Sequence, residues 1–159
     1  MELKGIKMIL KNHDQFFIQW DIVYELENNP NLGIFNFWID NICYPAQGIN
    51  ITLPALFWAL ICNIESIDGL KKDLTDIPIS KINFSDIDND KLVFLDTGEL
   101  FQYGFGLVLG FNQDQERIFY TTDFEKTYSE IILPKGVLRA TLNSLLLNMD
   151  QCVLIKLDA

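Results

Sequence analysis

Phe16-Phe-Ile-Gln-Trp-Asp-Ile-Val-Tyr-Glu-Leu26 is the stretch that decides the fold. Phe16, Ile18, Trp20, Ile22, Tyr24 and Leu26 fall on one side of it, and Gln19, Asp21 and Glu25 on the other. A period of two over this length marks a strand with one buried face. Asn28-Asn29-Pro30-Asn31 then reads as a turn. Ile34 to Tyr44 repeats the pattern: Phe35, Phe37 and Ile39 alternate up to Asp40-Asn41, and Ile42 and Tyr44 continue after it. Asp and Asn tolerate left-handed dihedrals, so a two-residue hairpin turn fits at 40–41.

The period changes at Thr52. Thr52 suits a helix cap and Pro54 a first turn, and Leu53, Leu56, Phe57, Leu60, Ile61 and Ile64 form an i, i+3, i+4 stripe. Asp68 to Asp90 is polar but punctuated by Ile77, Ile79, Ile82, Phe84 and Ile87, and reads as a long connection within one domain. Further strands are expected at Leu92–Leu95, Phe101–Phe111, Arg117–Thr122, Tyr128–Leu133 and Cys152–Leu157. In the second of these, Gly104, Gly106 and Gly110 lie opposite Phe105, Leu107 and Leu109, which points to curvature or to close approach of another element. Asn112-Gln113-Asp114 makes a hairpin turn, and Pro134 opens a second helix lined by Leu138, Leu142, Leu145, Leu146 and Met149. Sequential hairpins interrupted by two helices imply an α+β fold. The expectation is one domain over residues 1–159. It holds a curled, mainly antiparallel sheet of about six to eight strands with both helices on one face.

The 159 residues carry 22 acidic and 12 basic side chains, a net charge of −10 and a pI near 4.4. Such a chain repels nucleic acid and anionic lipid, because a polyphosphate is bound by Lys and Arg that displace its counterions. Its partners are expected to be basic or neutral. Cys43, Cys62 and Cys152 have irregular spacings and sit in apolar runs, so they are expected to be reduced and buried. The N-terminal apolar run is broken by Lys7 and Lys11, which does not suit a signal peptide, and Ile42–Asn63 contains too many polar residues and prolines for a membrane span. A cytoplasmic location is expected.

The motifs for chemistry are weak. Asp86-Ile-Asp88-Asn-Asp90 begins like a calcium loop, but its sixth and twelfth positions are Lys91 and Thr97 rather than Gly and Glu. Gly104-Phe-Gly106-Leu-Val-Leu-Gly110 has its last glycine one residue too far for a dinucleotide fingerprint and precedes no helix. His13 is the only histidine, and its spacing from the cysteines matches no zinc motif, so neither metal nor cofactor is expected. No serine lies in a GxSxG elbow.

Charge placement is the stronger signal. From Asn12 to Leu70 there is no Lys or Arg, while Asp14, Asp21, Glu25, Glu27, Asp40, Glu65 and Asp68 all lie there. A second cluster follows with Asp86, Asp88, Asp90, Asp96 and Glu99, against Lys91 alone within it. This is either an ordinary solvated acidic surface or one that imitates a polyanion and engages a basic partner. On the second reading, Asp86, Asp88, Asp90, Asp96 and Glu99 are the candidate partner-binding residues, with Glu65 and Asp68 as the alternative patch.

Phe17–Leu26, Gly33–Asn41 and the Leu/Ile-rich helix after them resemble the immunity proteins of bacterial polymorphic toxin systems, including contact-dependent growth inhibition. Gly106–Tyr120 and Glu130–Gly136, with the Leu133-Pro134-Lys-Gly136 step into a helix, extend the resemblance towards the C-terminus. It implies a small cytoplasmic protein that blocks one cognate toxin, commonly a nuclease, by binding rather than catalysis. The rivals are an enzyme with an unrecognised carboxylate site and an adaptor domain. An enzyme should show a polar cleft with perturbed carboxylates, and an inhibitor an acidic protruding or flat surface. Because the apolar pattern accounts for the core without a ligand set, thermal melting with and without EDTA should coincide; a drop of many degrees on chelation contradicts this.

Overall fold

The computed structural model describes residues 6–24, 32–46 and 50–148. The stretch beginning at Phe16 forms β2 (Phe16–Tyr24), flanked antiparallel by β1 (Ile6–His13) and β3 (Leu32–Ile39). Phe16, Ile18, Trp20 and Ile22 of β2 and Phe35, Phe37 and Ile39 of β3 are no more than 3% exposed. Burying each such side chain stabilises by about 1.5–3 kcal/mol, so this face anchors the fold. On the other face Phe17 stacks on Trp38 at 5.7 Å, and the Trp38 indole N–H donates to Gln19 Oε1 at 2.8 Å. The hairpin forms as its residues require: Ile39 pairs with Ile42, and Asp40 and Asn41 take φ of +49° and +67° before β4 (Ile42–Tyr44). β5 (Ile51–Thr52) completes this first sheet by pairing with β3.

β1 was not expected. Met8 and Leu10 pack against the core, but Ile9 between them points outward and is 51% exposed, which blurs the alternation. The turn expected at 28–31 lies outside the described residues, as do Met149, Cys152 and the strand expected at Cys152–Leu157.

α1 (Leu53–Gly69) begins where the sequence places it and runs beyond Ile64. The Thr52 hydroxyl makes no capping bond; the Glu99 carboxylate accepts the Thr52 N–H instead, at 3.2–3.3 Å. Among the described residues no helix is long and apolar enough to cross a membrane. The cysteine expectation is corrected here. Cys62 faces away from the Leu56–Leu60 stripe of α1 and is exposed, and Cys43 is half-buried on β4; both are free thiols.

A second antiparallel sheet has the order β6 (Val93–Phe94), β7 (Gly106–Asn112), β8 (Gln115–Thr121), β9 (Ser129–Pro134). The antiparallel α+β frame is thus the one that forms, with the strands divided between two sheets. Both sheets contribute to one core, with Leu107, Leu109, Ile118 and Leu133 meeting Phe37, Phe57 and Leu142. The strand expected from Phe101 starts only at Gly106. Gly98–Tyr103 is a 3-10 helix that leaves Phe101 44% exposed, and Gly104, at φ +88°, turns the chain into β7. The outer face of the second sheet is covered by the polar connection, whose Leu74, Ile77, Ile79, Ile82 and Phe84 pack with Val108 and Phe119. Gly110 permits this: a Cβ there would lie 2.8 Å from Leu74 Cδ2.

α2 (Val137–Asn148) starts three residues after Pro134, which ends β9. Its start is fixed from a distance: Glu116, 1% exposed on β8, accepts the Gly136 N–H on one carboxylate oxygen at 3.0 Å and the Leu138 N–H on the other at 2.7 Å. A carboxylate at a helix N-terminus satisfies orphan donors and complements the dipole. Leu138, Leu142 and Leu145 are buried as expected, whereas Leu146 is 43% exposed.

Two of these buried polar groups can be tested directly. Asn63, 6% exposed in α1, donates its amide to Asp96 O at 2.8 Å and accepts the Asp96 N–H at 2.8 Å. Asn63→Ala removes both and should destabilise by about 1–3 kcal/mol, seen as a lower urea midpoint at unchanged slope. Burial pushes the Glu116 carboxyl above its ordinary 4.5, against the pull of the Leu138, Gly136 and Val137 N–H groups. With a raised folded-state value, the folded chain binds a proton that the unfolded chain has released; the group's contribution is full at low pH and lost as pH rises through the folded value. Glu116→Gln cannot ionise, so the difference in unfolding free energy should move in favour of Gln as pH is raised above 4.5. A difference independent of pH contradicts the raised value.

Candidate partner-binding surface

The distribution of cations is the first observation. The Lys- and Arg-free run from Asn12 to Leu70 builds β2, β3, β4, β5 and α1. Residues 92–125 contain one cation, Arg117. Arg117 is 5% exposed and bonded to both Glu130 carboxylate oxygens, at 2.6 and 3.1 Å, and to Thr75 O at 3.0 Å. β2, α1 and the 3-10 helix therefore carry acids and no Lys or Arg of their own, while β3, β4, β5 and β7 carry neither.

The segment Asp96–Glu99 runs along α1. Asp96 is held at Asn63, Gly98 sits over Leu56 and Ala59, and Glu99 reaches the helix N-terminus at Thr52. Gly98 has φ +52°, and a Cβ there would lie 3.3 Å from Leu56 and 3.4 Å from Ala59, so both the turn and the close approach suit glycine. Asp96 is exposed, whereas Glu99 is half-buried by its capping role. The outward face of the same helix carries Ala55, Trp58, Cys62 and Glu65, all exposed. Trp58 is 62% exposed. Asp96, Glu99 and Glu65, grouped apart in the sequence, are thus brought to one helix.

Asp86, Asp88 and Asp90 lie elsewhere, on the connection before β6. All three are exposed around Ile87, and the Asp88 N–H donates to Asp86 Oδ1 at 3.2 Å. Asp90 is paired with Lys72, which holds its carboxyl below the ordinary range. Asp68 is turned from the outward face to α2, where Arg139 grips both its oxygens at 2.6 and 3.0 Å and likewise lowers it. Trp58 is the residue that the sequence reading missed. The signal was available, since on a helical wheel Trp58 falls opposite Leu53, Leu56 and Leu60.

A cavity of about 340 Å³ between α1 and α2 has Glu116 and Phe111 in its lining, with Lys135 and the Asp68–Arg139 pair around them. A buried carboxyl with a raised pKa is what a catalytic acid would show. Here both oxygens hold the start of α2, and Lys135 lies over the Phe111 ring at 4.4 Å. The lining offers no hydroxyl, thiol or imidazole to act with it. His13 Nδ1 accepts the Gln15 N–H at 3.1 Å, a local turn contact. Among the described residues no three His, Cys, Asp or Glu side chains gather into a metal-binding group.

The model of the Immunity protein 42 family matches residues 8–148. Among solved structures, the crystal structure of CdiI from Burkholderia dolosa superposes with a TM-score of 0.53, covering 89% of this chain and 99% of that one at 13% identity. At that identity the likeness is one of fold. A comparison with curated proteins finds no match. With almost the whole described chain matched by the family model, this chain belongs to the Immunity protein 42 family.

Proposed function

We propose that this immunity protein neutralises its toxin as a non-catalytic inhibitor in the cytoplasm, as one domain, and that the toxin is a basic nuclease whose nucleic-acid-binding surface it occupies. Family membership supplies the toxin-neutralising role. The observation that carries the finer reading is that β2, α1 and the Asp96–Glu99 segment offer acids and no Lys or Arg of their own, on a chain of net charge −10. A nuclease must hold a polyanion through Lys and Arg. A rigid acidic face competes for those side chains without itself being a substrate.

The physics assigns two roles within such a surface. Exposed acids at the rim steer encounter, raising association from about 10⁵–10⁶ towards 10⁸–10⁹ M⁻¹s⁻¹ at low salt. Residence time comes from a few desolvated central contacts, because buried area alone does not set affinity.

The reagent for the test is the toxin domain that, on this reading, the reading frame immediately upstream of this chain encodes. Expressed alone it should arrest growth and degrade DNA or RNA, and co-expression of this chain should restore growth. Purified chain should inhibit at one-to-one stoichiometry, with an association rate that falls steeply as salt is added. A toxin that leaves nucleic acid intact overturns the nuclease reading. Association indifferent to salt overturns the electrostatic one.

A further inference from the structure

We infer that the outward face of α1, centred on Trp58, is the surface on which the basic toxin domain seats. The inference rests on the binding role proposed above and assigns it to one face.

Three observations converge. The first is Trp58 itself. Trp20 is fully buried against Phe57, and Trp38 is stacked on Phe17 and bonded to Gln19. Trp58, at 62% exposure, has neither kind of partner among the described residues. Its helix neighbours on that face, Ala55, Ala59 and Cys62, are small, so the indole stands above its surroundings as a knob on a rigid element. Trp is among the residues most enriched where binding energy concentrates.

The second is charge. Glu65 lies on the same face as Trp58 and Cys62, at i, i+4 and i+7, and Asp96 and Glu99 flank the helix through their bonds to Asn63 and Thr52. The run 12–70 supplies no cation, and 92–125 supplies only the buried Arg117. Neither run therefore offers an exposed cation to offset Glu65 and Asp96. An Arg or Lys of the partner meets an aromatic face and a carboxylate together, which favours a cation at this point over any neutral group.

The third is the contrast with the other exposed apolar acidic site. Ile87, 80% exposed, sits between Asp86 and Asp88, but Asp90 is neutralised by Lys72, and Lys81 and Lys91 bracket the segment in the chain. Its charge is partly compensated, whereas on α1 the one paired acid, Asp68, is turned to α2 and Glu65 beside Trp58 has no cation attached among the described residues.

The experiment uses the full chain and the upstream-encoded toxin domain. Affinity is measured for the parent, Trp58→Ala, Glu65→Lys and the Asp86→Asn/Asp88→Asn pair. Alkylation of Cys62 by N-ethylmaleimide is followed by mass spectrometry, free and in complex. Trp58→Ala should weaken binding about thirtyfold or more, mainly by faster dissociation, with its melting temperature kept. Glu65→Lys should slow association and flatten its salt dependence, the Asp86/Asp88 pair should change little, and Cys62 should be protected in the complex. If the parent binds while Trp58→Ala binds equally well and Cys62 reacts at its free rate, this face is overturned and the immunity role stands. If the parent does not bind the toxin domain, both are overturned.

Discussion

The Asn63 amide is the joint on which the arrangement depends. It sits in the third turn of α1, nearly sealed from solvent, and holds both backbone groups of Asp96. Among the described residues, every element before it belongs to the first sheet or is α1 itself, and beyond Asp96 the chain passes through the 3-10 helix into the long strands of the second sheet. A leucine there would bury well but would leave two backbone groups unpaired. The amide, with one donor end and one acceptor end, matches a backbone unit in a way that no apolar residue does. The fold thus fixes the second sheet's approach by a directional contact, while the shared core supplies the non-directional energy. Glu99 at Thr52 repeats the device at the other end of the helix, so the segment between is pinned at both ends.

The sequence was legible where structure is decided locally. β2, the β3–β4 hairpin and the start of α1 follow from period and turn chemistry within a few residues, and each forms at the expected place. It was illegible where a distant group decides. The start of α2 is set by Glu116 on β8, more than a strand away in sequence, so Pro134 looked like the better candidate. Phe101 and Tyr103 extend an alternation that the 3-10 helix does not use, because Gly98 and Gly104 take positive φ and lead the chain out of strand geometry. β1 was lost for a milder reason: one outward isoleucine, Ile9, was enough to hide the period.

The candidate surface shows the same limit. Five acids from Asp86 to Glu99 read as one cluster because they are neighbours in the chain. β6 separates them in space, and Asn63 holds Asp96 against α1 instead. The cation-free run is visible in the sequence, but which of its acids share a face depends on tertiary contacts. The acids also differ in what is left for a partner. Asp68 and Asp90 already have cations, Glu99 serves a helix terminus, and Glu65 and Asp96 have exposed carboxylates with no cation attached among the described residues.

The burial of Arg117 has a consequence at long range. By locking this cation against Glu130 and Thr75, the fold removes the only positive group that 92–125 would have shown to solvent, while Lys71, Lys135 and Arg139 collect around the cavity between the helices. Solvent therefore meets acids and no cation along 92–125, and the charge of the molecule is unevenly spread as well as net negative. A basic body entering within a Debye length, about 8 Å at physiological salt, experiences torque as well as attraction. Its orientation is selected before any side chains touch, and the time lost to unproductive collisions shrinks accordingly.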